Sequence, residues 1–225
     1  MNNLHNNLQE DKNEEALTKG TANKSLELKQ KELSNKKSNP NSEDQIHSSR
    51  INTRDLVITG MFTAIICVMS QLTIPIQPIP FSLSLFAIFL TGALLSSRYA
   101  FLSVLAYLLL GAFGVPVYAG MKGGLQVLTG VTGGYLMAYP LMAFVIALFY
   151  KYFKKYKTIA LTLGMLLALI LCYLIGTLWF TFVADTSFYY ALTVCVFPFV
   201  LFDVIKIALA VSLSTILRKT FRFIT

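Results

Sequence analysis

Between Leu56 and Thr225 the chain carries only two carboxylates, Asp185 and Asp203, set among long runs of Leu, Ile, Val, Phe and Ala. Such runs reach the ~20 residues that a helix needs to cross a bilayer. Backbone groups in hydrocarbon must be satisfied internally, so the runs are expected to fold as membrane helices. Residues 1–55 differ sharply, with nine Lys or Arg, nine Asp or Glu, many Asn and Ser, and few large apolar side chains. That composition cannot bury enough apolar surface to offset the entropy of ordering, and it predicts a disordered tail. Mixed Lys and Glu between Ser25 and Ser34 favour a transient helix with nothing to bury it. The expected organisation is a tail over 1–55, a transmembrane body over 56–217 and a basic cytoplasmic C-terminus over 218–225.

The body accommodates six helices joined by short loops. The first covers residues 56–72 and stops at Ile74-Pro75-Ile76-Gln77-Pro78-Ile79-Pro80, whose three prolines enforce a stiff, extended loop. The second and third cover 81–95 and 99–110, with Ser96-Ser97-Arg98 as the turn between them. Residues 111–134 follow, rich in glycine and interrupted by Pro116, which breaks regular helix. Irregular backbone at membrane depth is tolerated where it is buried in protein or lines a cavity. The fourth, fifth and sixth helices cover 135–150, 159–182 and 189–217. The last is over-long, and Pro198 marks a kink or an entry segment near its start.

With six spans, Arg50, Arg54, Arg98, Lys151, Lys154, Lys155, Lys157, Arg218, Lys219 and Arg222 fall on one side, and the other holds only Lys122 and Asp185. Basic residues concentrate on the cytoplasmic side, so both termini are expected there, in the cell membrane. The net charge of +8 thus reflects membrane orientation and not a nucleic-acid partner. The first residues lack the apolar core of a secretory signal. His5 and His47 both lie in the tail, leaving the body without histidine for an intramembrane zinc site or a Ser–His hydrolase. Cys67, Cys172 and Cys195 have no CxxC spacing and read as small hydrophobes on packed faces. No cofactor or metal is expected.

Four features carry chemistry. Asp203 and Lys206 sit three apart within an otherwise apolar helix, so their side chains leave one face and can meet. A lone charge at mid-membrane costs roughly 2.5–3.5 kcal/mol on insertion scales. A ligand site and a structural ion pair are the two readings, and intramembrane ionisable groups favour the first. The segment from Gly123 to Tyr135, ending Thr132-Gly133-Gly134-Tyr135, either lets backbone N–H groups approach a ligand or packs helices closely. It is no phosphate loop, because Lys122 precedes the glycines and no Gly-Lys-Ser or Gly-Lys-Thr follows. Gly60-xxx-Ala64 and Thr63-xxx-Cys67 on the first helix offer close approach to another helix, within the chain or outside it. Lys122, alone on the outer side, either draws an anionic ligand or is a solvated loop lysine.

These features resemble the BioY family, the biotin-binding substrate components of energy-coupling factor vitamin transporters. The resemblance runs from about Leu56 to Leu217. It is carried by the proline loop into Phe81-Ser82-Leu83, by residues 108–120 (Leu-Leu-Leu-Gly-Ala-Phe-Gly-Val-Pro-Val-Tyr-Ala-Gly), by Gly123 to Tyr135, and by Phe197-Pro198 leading to Asp203-Val204-Ile205-Lys206. It implies six helices, one biotin near the outer face, and as partners a transmembrane coupling protein with two cytoplasmic ATPases. The chain has no Walker motif of its own. Asp203 and Lys206 match the family's ligand-contacting pair, Gly133, Gly134 and Tyr135 its glycine-rich binding segment, and the small residues of the first helix its coupling surface. Two positions depart: Val131 stands where the family commonly has proline, and Ser84 where it commonly has glutamine. The loss of that amide leaves one polar contact in the pocket open, and with it a related vitamin as ligand or a lower affinity. A membrane-embedded transferase using Asp203 and a purely structural assembly protein are the readings from other classes.

Overall fold

The structure, a computed structural model, describes residues 26–32, 53–74, 80–153 and 156–221, with side chains to residue 219. Most of the tail, the proline loop at 75–79, and Arg50, Lys154, Lys155 and Arg222 lie outside the described residues. The chain divides into two units, Met1–Arg50 and Ile51–Thr225. In the first, residues 26–32 form a helix, α1, exposed along its whole described length.

The second unit contains α2 (Thr53–Gln71), α3 (Ser84–Leu94), α4 (Ser97–Ala112), α5 (Leu125–Thr129), α6 (Gly133–Tyr152), α7 (Lys157–Ala184), α8 (Phe188–Cys195) and α9 (Phe197–Phe221). Four of these, α2, α6, α7 and α9, are long and apolar enough to cross a membrane. Large apolar side chains such as Leu163, Ile170, Phe182 and Leu209 point outward, 53–85 % exposed. Water would penalise that surface, whereas lipid does not. The chain is a multi-pass membrane protein.

The expected second helix begins three residues late. Phe81 and Ser82 form a strand, β2 (Phe81–Ser82), that pairs antiparallel with β1 (Thr73–Ile74). Leu83 N–H then bonds Leu72 O at 3.1 Å. These contacts hold the residues after the prolines in a hairpin, and α3 retains 11 residues, about 17 Å at the usual rise. The over-long sixth helix divides at Val196 into α8 and α9. Pro198 sits in the first turn of α9, where its missing N–H would have had no intrahelical partner anyway.

Helix α6 is central, packing on α3, α4, α5 and most extensively on α7. Glycines on both partners permit that approach. A Cβ on Gly134 of α6 would lie 2.2 Å from Trp179 Cβ of α7, and one on Gly176 of α7 would lie 2.2 Å from the Tyr135 ring of α6. Each helix thus supplies the space that the other's aromatic residue fills. On the other side of α6, Arg218 of α9 donates through Nε (2.8 Å) and Nη2 to Ala93 O, a terminal carbonyl of α3. Its guanidinium also lies 3.6 Å from the centroid of the Tyr150 ring of α6.

Helix α2 packs on α4 through hydroxyls. Thr63 Oγ1 donates to Ser103 O (3.0 Å), and Ser103 Oγ donates to Thr59 O (3.1 Å). In hydrocarbon such bonds join helices without needing apolar burial.

Gly176→Ala tests the α6–α7 joint. Overpacking of this kind costs roughly 1–3 kcal/mol, so the variant is expected to melt at lower temperature in detergent; an unchanged melting curve would show that the joint has slack.

Candidate functional site

A pocket opens between β2, α3, α6, α7, α8 and α9, enclosing about 450 Å³ with its mouth included. Its polar end is built on α9. Asp203 and Lys206, only 5 % and 6 % exposed, are one turn apart, and Lys206 Nζ lies 2.9 Å from Asp203 Oδ1. Two further elements complete the group. Tyr173 of α7 donates its hydroxyl to Asp203 Oδ2 at 2.5 Å. Lys206 Nζ donates to Ser82 O of β2 at 3.0 Å and lies 4.0 Å from the centroid of the Phe81 ring. An ammonium has three N–H groups. Two go to oxygens, the charge as a whole sits over the Phe81 face in a cation–π contact, and one N–H is left over.

Aromatic rings make the walls. Tyr135 and Tyr139, one turn apart on α6, share the pocket with Phe81 and Phe199. The latter two stack with centroids 6.4 Å apart, and Phe202 meets Phe81 edge-on at 5.3 Å. Tyr135 is held by two contacts: its ring fits the space at Gly176, and its hydroxyl lies 3.2 Å from Thr177 Oγ1.

Of the candidate binding residues of the sequence, Asp203, Lys206 and Tyr135 meet in this pocket. The other candidate binding residues lie outside its lining. Ser84 is buried at the start of α3, with its hydroxyl 2.6 Å from that of Ser82, which does line the pocket. Thr132 precedes α6, and Gly133 and Gly134 open it; a Cβ on Gly133 would lie 1.7 Å from Leu128 O. Both glycines therefore serve close packing within the chain. Lys122 is exposed, in a backbone bridge with Tyr118. On α2 the two small-residue stripes separate. Thr63 is buried against α4 and Cys67 is half-buried, whereas Gly60 and Ala64 are exposed, with nothing within 4 Å of a Cβ built on Gly60.

Sequence reasoning missed Tyr173, Tyr139, Phe81 and Phe199. Tyr139 could have been inferred from Tyr135, because residues four apart share a helix face. Tyr173 carried a weaker signal, a hydroxyl in an apolar run that needs a partner once buried. Cys172 and Cys195 are buried as expected, and both border the pocket. Among the described residues no cluster of His, Cys, Asp and Glu could hold a metal ion.

A carboxylate beside an ammonium presents an acceptor and a donor 2.9 Å apart. That pattern matches an N–H adjacent to a C=O on one edge of a cyclic amide or urea. The pair itself adds little net stability, since burying two charges costs about what their attraction returns. Breaking it is another matter: removing one partner of a buried pair costs roughly 3–5 kcal/mol. Lys206→Leu is thus expected to lower the unfolding midpoint in detergent more than Asp203→Leu/Lys206→Leu does. Equal losses would show that the charges are solvated and not paired.

Comparison with known proteins agrees with this architecture. The profile of the BioY family matches residues 39–223. The biotin transporter BioY of Thermotoga maritima is 41 % identical over 166 residues, covering 74 % of this chain and 96 % of that protein. The probable biotin transporter BioY of Pyrococcus horikoshii is 35 % identical over 164 residues, covering 73 % and 96 %. The 2.1 Å crystal structure of the S-component for biotin from an ECF-type ABC transporter superposes with a TM-score of 0.71 at 30 % identity, over 76 % of this chain and 94 % of that one. With the family profile spanning nearly all of the membrane unit, and with relatives matched over almost their full length, the chain belongs to the BioY family.

Proposed function

We propose that this chain is the biotin-binding component of an energy-coupling factor transporter and takes up biotin across the cell membrane. The observation that carries this is the buried Asp203–Lys206 pair at the end of an aromatic-walled pocket. It occurs in a chain whose relatives are biotin transporters. Biotin's ureido ring carries N–H beside C=O, and its fused ring offers apolar surface to Phe81, Phe199, Tyr135 and Tyr139. In this reading Asp203 accepts from a ureido N–H, and Lys206 donates its third N–H to the ureido oxygen. No bond is made or broken in the ligand.

Six helices, α2, α3, α4, α6, α7 and α9, cross the bilayer with both ends of the chain in the cytoplasm. The short α3 crosses with help from the β1–β2 pair, whose second strand lines the pocket and so satisfies the rule for irregular backbone at depth. Basic residues at the cytoplasmic ends of the helices support the orientation. The chain is organised as a tail over 1–55, a binding body over 56–217 and a basic cytoplasmic segment over 218–225. The glycine segment from Thr132 to Gly134 contributes by placing Tyr135. Ser84 contributes through Ser82, and Lys122 attracts the anionic ligand from the outer side. The chain lacks a Walker motif, so energy comes from a transmembrane coupling protein and two ATPases. The exposed Gly60–Ala64 face of α2 is the surface offered to that coupling protein.

Calorimetry on the detergent-purified chain is expected to show one biotin bound per chain. Asp203→Asn should weaken binding by roughly ten- to a hundredfold, the range of a hydrogen bond to a charged group. Unchanged affinity would remove Asp203 from the site. Uptake assays separate binding from coupling. Ala64→Trp is expected to keep biotin binding and lose energised uptake, while deletion of residues 1–48 keeps both. Full uptake with Ala64→Trp would place the coupling surface elsewhere.

A further inference from the structure

The Asp203 carboxylate is held from both sides by donors on different helices. Lys206 takes Oδ1 from within α9, and Tyr173 takes Oδ2 from α7. The Tyr173 contact, at 2.5 Å, is in the range of a hydroxyl donating to an ionised oxygen. A phenol has one proton and two lone pairs. With its proton committed to Asp203, Tyr173 keeps acceptor capacity on its oxygen, and the residue lines the pocket. Among the described residues no donor is hydrogen-bonded to its oxygen. The terminal torsion of an aspartate has a broad well, so a carboxylate held by Lys206 alone could turn. Two donors on separate helices fix its plane.

We propose that Tyr173 is a positioning residue for ligand recognition. Its hydroxyl holds the Asp203 carboxylate where one acceptor lies beside the Lys206 donor, and the site thereby selects ligands that carry N–H next to C=O on one edge. This deepens the biotin-binding reading and rests on it. A tyrosine that merely tied α7 to α9 would weaken every ligand alike. A positioning tyrosine weakens only those whose N–H meets Asp203.

The test compares wild type with Tyr173→Phe, which keeps the ring and the pocket wall, using three probes in calorimetry on the full chain. Biotin is expected to bind the variant at least tenfold more weakly. Biotin methyl ester, altered only in the tail, should lose the same factor. Of the two biotins methylated on one ureido nitrogen, at least one should lose less than threefold, because its contact with Asp203 is already gone. Equal losses for all probes, or no loss for biotin, overturn the proposal.

A readout without ligand keeps the two readings apart. The carboxylate stretch of Asp203, identified in infrared difference spectra against Asp203→Asn, is expected to shift in Tyr173→Phe. It should shift the opposite way with 3-fluorotyrosine at position 173, a stronger donor of nearly the same shape that serves even where the Phe variant folds poorly. A band that ignores both changes overturns the positioning role whatever the ligand. Wild-type protein that binds no biotin while this band shifts as expected overturns the transport reading alone.

Discussion

Two charges buried among apolar helices dictate what surrounds them. An isolated ammonium or carboxylate at membrane depth costs several kcal/mol, so Asp203 and Lys206 must face each other, and their remaining polar capacity must also be met. The chain meets it from two elements. Helix α7 brings a tyrosine hydroxyl, β2 brings a backbone carbonyl, and the same strand brings an aromatic face. The pocket is where these contributions converge, with α6 supplying one wall. Since a well-packed apolar pair would serve folding about as well, the ion pair is best understood through what it can recognise.

The wall depends on a different constraint, the spacing of α6 and α7. Each helix has a glycine where the other has a large ring, and the exchange of Trp179 for Gly134 and Tyr135 for Gly176 sets both distance and register. Trp179 Nε1 then bonds Gly130 O at 3.0 Å, fixing the turn that leads into α6. The glycine segment thus acts on the site at one remove. It positions Tyr135 and does not itself line the pocket.

Much of this could be read in the sequence, for physical reasons that differ by element. Long apolar runs and their breakers located the helices to within a few residues, and Pro198 revealed the division between α8 and α9. The start of α3 was not legible, because Phe81 and Ser82 suit a helix as well as a strand until the hairpin partner is known. Asp203 and Lys206 stood out because charge in hydrocarbon is expensive. Phe81, Tyr139 and Tyr173 did not, among 17 Phe and 11 Tyr that any helix face could use. Glycines were ambiguous for a deeper reason: presenting N–H groups to a ligand and admitting a neighbouring helix demand the same missing side chain. Only the neighbour's identity, Trp179 against Gly134, separates the two. The same holds on α2, where burial assigns Thr63 to the chain's own α4 and leaves Gly60 and Ala64 facing outward.

A polar end assembled without ligand has consequences for transport. In the proposed binding mode Asp203 is already oriented and Lys206 already has its oxygens, so little binding energy goes to ordering side chains. Preorganisation of this kind favours tight binding. It also makes release slow, because affinity differences are expressed mostly in the dissociation rate. A carrier that must unload its ligand inside therefore needs the site to be pulled apart, and the elements to separate are those that converge on Asp203 and Lys206: β2, α7 and α9. None of them is α2, whose open face is the surface proposed for the coupling protein. Helix α2 is nonetheless joined to the pocket by a short link, since Leu72 O, just after Gln71, accepts from Leu83 N–H just beyond Phe81 and Ser82. The strand tied to the end of α2 in this way is the one that supplies Lys206 with its carbonyl and its aromatic cover.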